Sequence, residues 1–233
     1  MNQEIQVDWS NVDSIGLYTV PMAARLIGAN QTKLRSWIDG YGHSDAKPII
    51  HRQPPRMGGK TALGFLDLIE ARFIRHFNTW FSPQTIRRVA TKLRARHDIE
   101  HPFAMNSRFR TDGKSIFMES TDDENERRVL NLMNDNFVME PVIERSLFDS
   151  IFYVEDIARA WRPFFETPRV IVDPRFAFGR PVIDDIWIPT ETLMNAFMIE
   201  GSAMAAAEEY DVDEDAIIQA VHFERSLDEK TVH

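Results

Sequence analysis

Apolar side chains recur at every third or fourth position through much of this chain, the spacing of helices that bury one face. Thr19 and Pro21 open the first such segment. Pro is tolerated in a first helical turn, and a Thr hydroxyl can accept a free amide there. Ala23, Ala24, Leu26 and Ile27 form the inward face, and Gly28 stops the helix. Asn30 caps a second helix, Gln31 to Asp39, ended by Gly40. Its inward positions are Leu34, Trp37 and Ile38, which leaves Lys33 and Arg35 outside. Two short helices, a tight turn with Gly and cations on the second helix predict a helix-turn-helix. Pro48-Ile49-Ile50-His51-Arg52, a basic turn to Lys60 and a following strand predict a wing, with Arg52, Arg56 and Lys60 near a phosphate backbone. An apolar helix from Phe65 to Trp80 comes next. A helix beginning at Ser82-Pro83 then carries Arg87, Arg88, Lys92, Arg94 and Arg96 on its outer face.

The pattern changes after residue 100. Phe109 to Met118 alternates about Asp112-Gly113 and predicts a hairpin. Residues 119–126 are polar and acidic and suit an exposed connection. Val129 to Met133 is expected as a short helix, and Phe137 to Ile143 and Phe148 to Val154 as extended chain. This middle part is read as a small β-rich element, either a dimer surface or packing that joins two domains. From Thr167, three β-branched runs broken by Pro and Gly predict a ribbon, and three helices follow. Thr190 caps the first, with Leu193, Met194, Phe197 and Met198 inward and Gly201 as its stop. Ser202 caps Ala203 to Tyr210. Asp213 caps Glu214 to Arg225, with Ile217, Ile218 and Val221 inward. The expected fold is mainly α with small β elements (α+β), in three parts: 14–100, 101–166 and 167–233.

Composition narrows the chemistry. The 233 residues include no Cys, which excludes disulfides, thiolate metal sites and a thiol nucleophile. No apolar run reaches membrane-span length and no leader is visible, so a cytoplasmic location without membrane contact is expected. The net charge of −9 hides a split. Residues 21–110 hold sixteen Lys/Arg against six Asp/Glu, whereas residues 184–233 hold two against thirteen. Such asymmetry points to nucleic-acid contact at the basic end, unless the charges are only solvated surface.

Two stretches carry family resemblances. Val20 to Tyr41, VPMAARLIGANQTKLRSWIDGY, resembles the opening of MerR-type winged helix-turn-helix proteins. Leu34-Arg35 matches their Leu-Arg, while Ser36, Trp37 and Lys33 depart from the pattern. The resemblance implies phosphate and base contacts from the start of the second helix and from the wing. Arg35 carries over directly. Gln31, Thr32 and Lys33 follow from position at the helix start. The C-terminal part resembles a widespread bacterial family found in antitoxins. Val172-Asp173-Pro174, Gly179 to Ile183, Ile188-Pro189 and Glu200-Gly201-Ser202 match in order. Asp184, Asp185 and Trp187 differ from that family's usual Gly, Thr and Arg. The family is helix-turn-helix-like, but Asp213-Glu214-Asp215 at the start of the last helix would repel phosphates. The domain therefore reads as protein-binding or dimerising.

The whole order resembles VapB-type antitoxins of the larger kind. That resemblance implies a type II toxin–antitoxin role: binding and silencing a PIN-like ribonuclease, and repressing the shared promoter by DNA binding. It implies partners in promoter DNA, the toxin and a second copy of the chain, as a homodimer or larger. Arg225 and Lys230 are the candidates for blocking the toxin's acidic site. The alternative is a stand-alone MerR-like regulator whose C-terminal half dimerises or senses a ligand. No cofactor, metal or catalytic residue is expected. His97-Asp98-Ile99-Glu100-His101 spells a zinc-hydrolase motif, but that chemistry needs both His on one helix face, and Pro102 disfavours helix at His101.

Overall fold

The computed structural model describes residues 15–40, 47–54, 59–105, 108–111, 116–120, 128–131, 136–138 and 150–231. Arg56 and the hairpin turn at Asp112-Gly113 lie outside them, and so do Met133 and the expected extended residues 139–143 and 148–149.

The N-terminal half is built on local signals. β1 (Tyr18–Thr19) leads into α1 (Val20–Ile27), where the Thr19 hydroxyl accepts the Met22 amide at 3.3 Å. Gly28 then takes a left-handed turn at φ 64°, and the Ala29 amide closes on the Ala24 carbonyl. Asn30 Oδ1 accepts the amides of Thr32 and Lys33, starting α2 (Gln31–Asp39). β2 (Ala62–Leu63), α3 (Phe65–Phe77) and α4 (Pro83–His97) follow, the last capped by Ser82. Phe103, in a short 3-10 turn at Pro102–Ala104, packs against Phe73 and Phe77 of α3 with ring centroids 6.3 Å apart.

Three expectations here are corrected. Residues 48–52 are not a strand. The amides of Ile49 and Ile50 both donate to the Trp37 carbonyl, at 2.8 and 3.0 Å, so they close the end of α2 instead of entering a ladder. Nor does β2 pair with that segment: it runs antiparallel to β1, with Tyr18 opposite Leu63. The apolar helix also stops at Phe77 rather than Trp80.

The middle part forms an antiparallel sheet of β3 (Arg108–Thr111), β4 (Ile116–Ser120), β5 (Arg128–Asn131) and β6 (Asn136–Val138), paired in that order. β3 and β4 pair as the expected hairpin, but Thr111 lies opposite Ile116, two residues further on than a two-residue Asp112-Gly113 turn would place its partner. Within the helix expected at 129–133, residues 129–131 instead belong to strand β5, which finds partners on both sides.

A second four-stranded sheet joins β7 (Ile151–Val154), β8 (Ile157–Trp161), β9 (Val170–Val172) and β10 (Pro181–Ile183), so strands on either side of residue 166 share one ladder. Ile188-Pro189 adds only a bridge to Val182. Three helices complete the described chain: α5 (Thr190–Glu200), α6 (Ala203–Tyr210) and α7 (Glu214–Thr231). Ser202 and Asp213 cap α6 and α7 as expected. Thr190 does not cap α5: its buried hydroxyl donates to Glu224 at 2.5 Å. Met198 and Ile218, expected inside, are exposed. Among the buried positions are Leu193 and Ala196 on α5 and Ala216 and Ile217 on α7.

One contiguous buried cluster extends from Tyr18 on β1, through α1 to α4, to Phe223 and Leu227 on α7. The fold is thus α+β, with the basic and acidic halves sharing a core. Among the described residues, no helix is long and apolar enough to cross a membrane.

Candidate nucleic-acid interface

The start of α2 is the place where the sequence directs exposed polar and basic side chains onto a rigid support. Leu34, Trp37 and Ile38 are buried, which fixes the helix rotation. Gln31, Thr32, Lys33 and Arg35 therefore all face solvent. Their shared exposure follows from helical periodicity: the buried stripe at 34, 37 and 38 leaves 31, 32, 33 and 35 on the remaining arc. Thr61 donates to Asp39 at 3.1 Å, tethering the chain beside exposed Lys60 to the last residue of α2. Arg52 is half-buried, with one guanidinium nitrogen enclosed and no hydrogen-bond partner among the described residues, so it is less available than the sequence suggested.

Beside the Gly28 turn lies an open, polar cleft of about 460 Å³, with Lys33 on one side and Arg75 and His76 of α3 on the other. Arg75 is exposed, and its guanidinium lies 3.4 Å from where a Gly28 Cβ would stand. Arg75 was missed in the sequence because it falls in a helix that reads as apolar. Its spacing of seven residues from Leu68, a buried position, gave no hint of an outward turn.

The basic helix α4 divides its cations. Arg87 donates to the Lys47 carbonyl at 2.6 Å, and Arg94 donates to the carbonyls of Glu100 and Ile49, both at 2.8 Å. These two arginines hold residues 47–50 against α4, and through the Trp37 carbonyl they brace the end of α2. Arg88 and Arg96 are exposed. So the outer face expected from sequence is partly a set of structural clamps.

Under this platform sits a buried polar cluster. Asp67 and Glu70 of α3 are both fully enclosed. Asp67 accepts the amides of Gln53 and Gly64, while the Gln53 side chain accepts the Leu66 amide, so the two side chains satisfy free amides at the start of α3 and in the segment before it. Burial pushes the Asp67 carboxyl up to about 7, against the pull of His101 and the two amides. His101 lies 3.4 Å from Glu70 and 3.6 Å from Asp67. Burial disfavours the charged ring, but the Glu70 bond and the nearby carboxylates raise its pKa. The zinc-hydrolase motif fails geometrically: α4 ends at His97, and Asp98 turns left-handed at φ 52°, so His101 leaves the helix axis. Among the described residues no group of three His, Asp or Glu side chains gathers as a metal site.

The acidic start of α7 is partly neutralised. Arg169 contacts Asp213 at 2.6 Å, Asp215 at 3.0 Å and Asp185 at 3.3 Å. The hydrogen bond from Arg169 holds Asp213 down to about 2. Of the two C-terminal candidates, Arg225 is exposed and lies over the Phe197 ring at 5.9 Å, and Lys230 lies within α7, its side chain outside the described residues.

The basic and acidic parts meet directly. Arg25 of α1 donates to Glu224 at 2.9 Å and to Asp228 at 2.8 Å on α7, and the Leu17 amide donates to the Phe178 carbonyl. Gly179 packs on Tyr18 so closely that a Cβ would stand 2.2 Å from the phenol oxygen.

No family model matches the chain. It is 25% identical over 223 residues to a protein of Mycobacterium tuberculosis named "Putative antitoxin VapB45", covering 89% of this chain and 93% of that one. The crystal structure of Rv2018 from Mycobacterium tuberculosis superposes with a TM-score of 0.60 at 18% identity, covering 88% of this chain and 96% of the other, which shows a common fold.

Proposed function

We propose that this chain is the antitoxin of a type II toxin–antitoxin pair. In this reading the basic N-terminal half holds promoter DNA and the acidic C-terminal half holds a PIN-like ribonuclease toxin. The observation that carries it is the nearly full-length similarity to a protein named as a VapB antitoxin. The exposed set on α2, with Lys60 beside it and Arg75 across the cleft, supports the DNA part. Lys33 and Arg35 meet phosphates or base edges, Gln31 and Thr32 reach base edges from the helix start, and Arg52, Arg56 and Lys60 flank them. The chain acts as a homodimer or larger, matching the two-fold symmetry common in operators. The 14–100, 101–166 and 167–233 segments take the DNA-binding, linking and toxin-binding roles.

The deciding experiment is a growth assay. The small reading frame beside this gene is expressed alone and then with this chain. Arrest by the neighbour and rescue by the chain are expected, and persistent arrest removes the antitoxin reading. DNA binding has its own test. Lys33→Ala/Arg35→Ala should weaken binding to promoter duplex and reduce the slope of log K against log salt by about 2. An unchanged slope means that α2 does not touch the backbone.

A second reading rests on one feature. A hollow of about 320 Å³ lies between α1 and α7, lined by Met22, Leu26, Thr190 and Leu227. A ligand seated there would favour a MerR-like regulator that senses a small molecule. A neighbour that proves harmless on its own would bring this reading forward.

A further inference from the structure

The corner between α5 and α6 carries apolar surface that the fold leaves uncovered. Met198 is 64% exposed and Ile199 80%, in the last turn of α5. Met204, across the Gly201-Ser202 turn, is 63% exposed in the first turn of α6. Ile218 on α7 is 52% exposed and joins Phe197, Ala203 and Val221 in an open groove of about 250 Å³. Long apolar side chains left more than half exposed are costly in water, and gathered patches of this kind mark interaction sites. Methionines suit such a surface because their flexible thioethers adapt to a partner.

The charges around the corner select the occupant. Glu200 ends α5, and Glu208 and Glu209 are exposed on α6, with Glu208 one turn beyond Met204 on the same face. Glu214 stands one turn before Ile218 on α7. Unlike Asp185, Asp213 and Asp215, these acids are not gathered around Arg169. Arg225 sits at the groove edge over Phe197, where it could meet a single carboxylate in an otherwise cationic partner.

We propose that the α5–α6 corner and the outer face of α7 form the docking surface for the cognate toxin, which presents an apolar helix stripe flanked by lysines and arginines. This deepens the antitoxin reading and rests on it. Met198, Ile199, Met204 and Ile218 are the anchors, and the glutamates steer and align the approach. Buried Glu224 and exposed Asp228 on α7 hold the α1 helix, so the proposed toxin face and the DNA-binding half both rest on this one helix.

The test uses the full chain and the purified product of the adjoining reading frame. Met204→Ser/Ile218→Ser changes only exposed side chains. It should raise the toxin Kd roughly tenfold or more, with the melting temperature and the promoter affinity unchanged. Glu208→Lys/Glu209→Lys should slow association and flatten its salt dependence. Three results overturn the proposal. If wild type and both variants bind the toxin equally, the docking surface lies elsewhere while the antitoxin reading stands. If sedimentation shows that the Ser variant falls from dimer to monomer with toxin capture intact, the face joins two copies of this chain. If the wild type neither binds the neighbour nor rescues growth, both the reading and the surface fall.

Discussion

Gly179 shows how one backbone position ties two distant segments. Its φ of +83° suits glycine, and a methyl group there would meet Tyr18 Oη. Tyr18 is fully buried, its hydroxyl has no hydrogen-bond partner among the described residues, and burial beside Asp173 raises its pKa. Gly179→Ala should therefore destabilise the protein by about 3 kcal/mol, combining left-handed strain and overpacking. Tyr18→Phe removes both the clashing oxygen and a buried orphan hydroxyl. Alone it should be neutral or stabilising, and with Gly179→Ala it should recover part of the loss. Thermal melts of the two single variants and the double variant check this. Additive losses would place the strain elsewhere. The Gly-Arg-Pro sequence around Gly179 was legible as a motif, but its physical reason was not, since Tyr18 lies 161 residues away.

Elements were legible where their signals are local. Asn30, Ser82, Ser202 and Asp213 each accept an amide two or three residues on, as a capping side chain must, and the helices begin where these caps place them, although α7 runs six residues past the expected end at Arg225. What failed depended on long-range partners. Two-residue strands have no period to detect, so the pairing of Tyr18-Thr19 with Ala62-Leu63 was invisible. Residues 128–131 are too few to separate strand from helix by periodicity. Met198 and Ile218 fit the apolar stripe of their helices, but the helix contacts are narrower than that stripe. The Asp67–Glu70–His101 cluster that joins α3 to the Pro102 turn was also unread. It makes the stability depend on pH in one direction. Asp67 has a folded pKa above its unfolded value, and so has His101. Each contributes stability that is complete below its unfolded pKa and lost as pH rises through the folded one. The melting temperature should fall from about pH 4 to about pH 7 as Asp67 ionises, and fall further above that as His101 loses its proton. His101→Gln should flatten the upper part of that decline. A rise in melting temperature over this interval would contradict the geometry.

At the scale of the molecule, the Arg25 bridge is the main polar link between the halves. Glu224 is buried and accepts from both Arg25 and Thr190. Arg25→Ala leaves that carboxylate without its cation, and because Arg25 is itself partly solvated the loss should be about 2 kcal/mol, less than for a fully buried pair. Proteolysis and denaturant titration would read it, and a loss below a few tenths would mean that the apolar contacts alone hold α1 on α7. The shared core that Arg25 supplements has a further physical effect. The cations on α2, α3 and α4 and the acids on α5, α6 and α7 stand on helices that share one core, so these two groups of charge cannot reorient independently. The protein is a permanent electric dipole. Within roughly a Debye length, about 8 Å in physiological salt, a polyanion exerts a torque on it before any contact forms. It turns the molecule so that the basic side leads and the acidic side trails. Wrong-way collisions are thereby discouraged, and the carboxylate-rich surface is left pointing away into solvent.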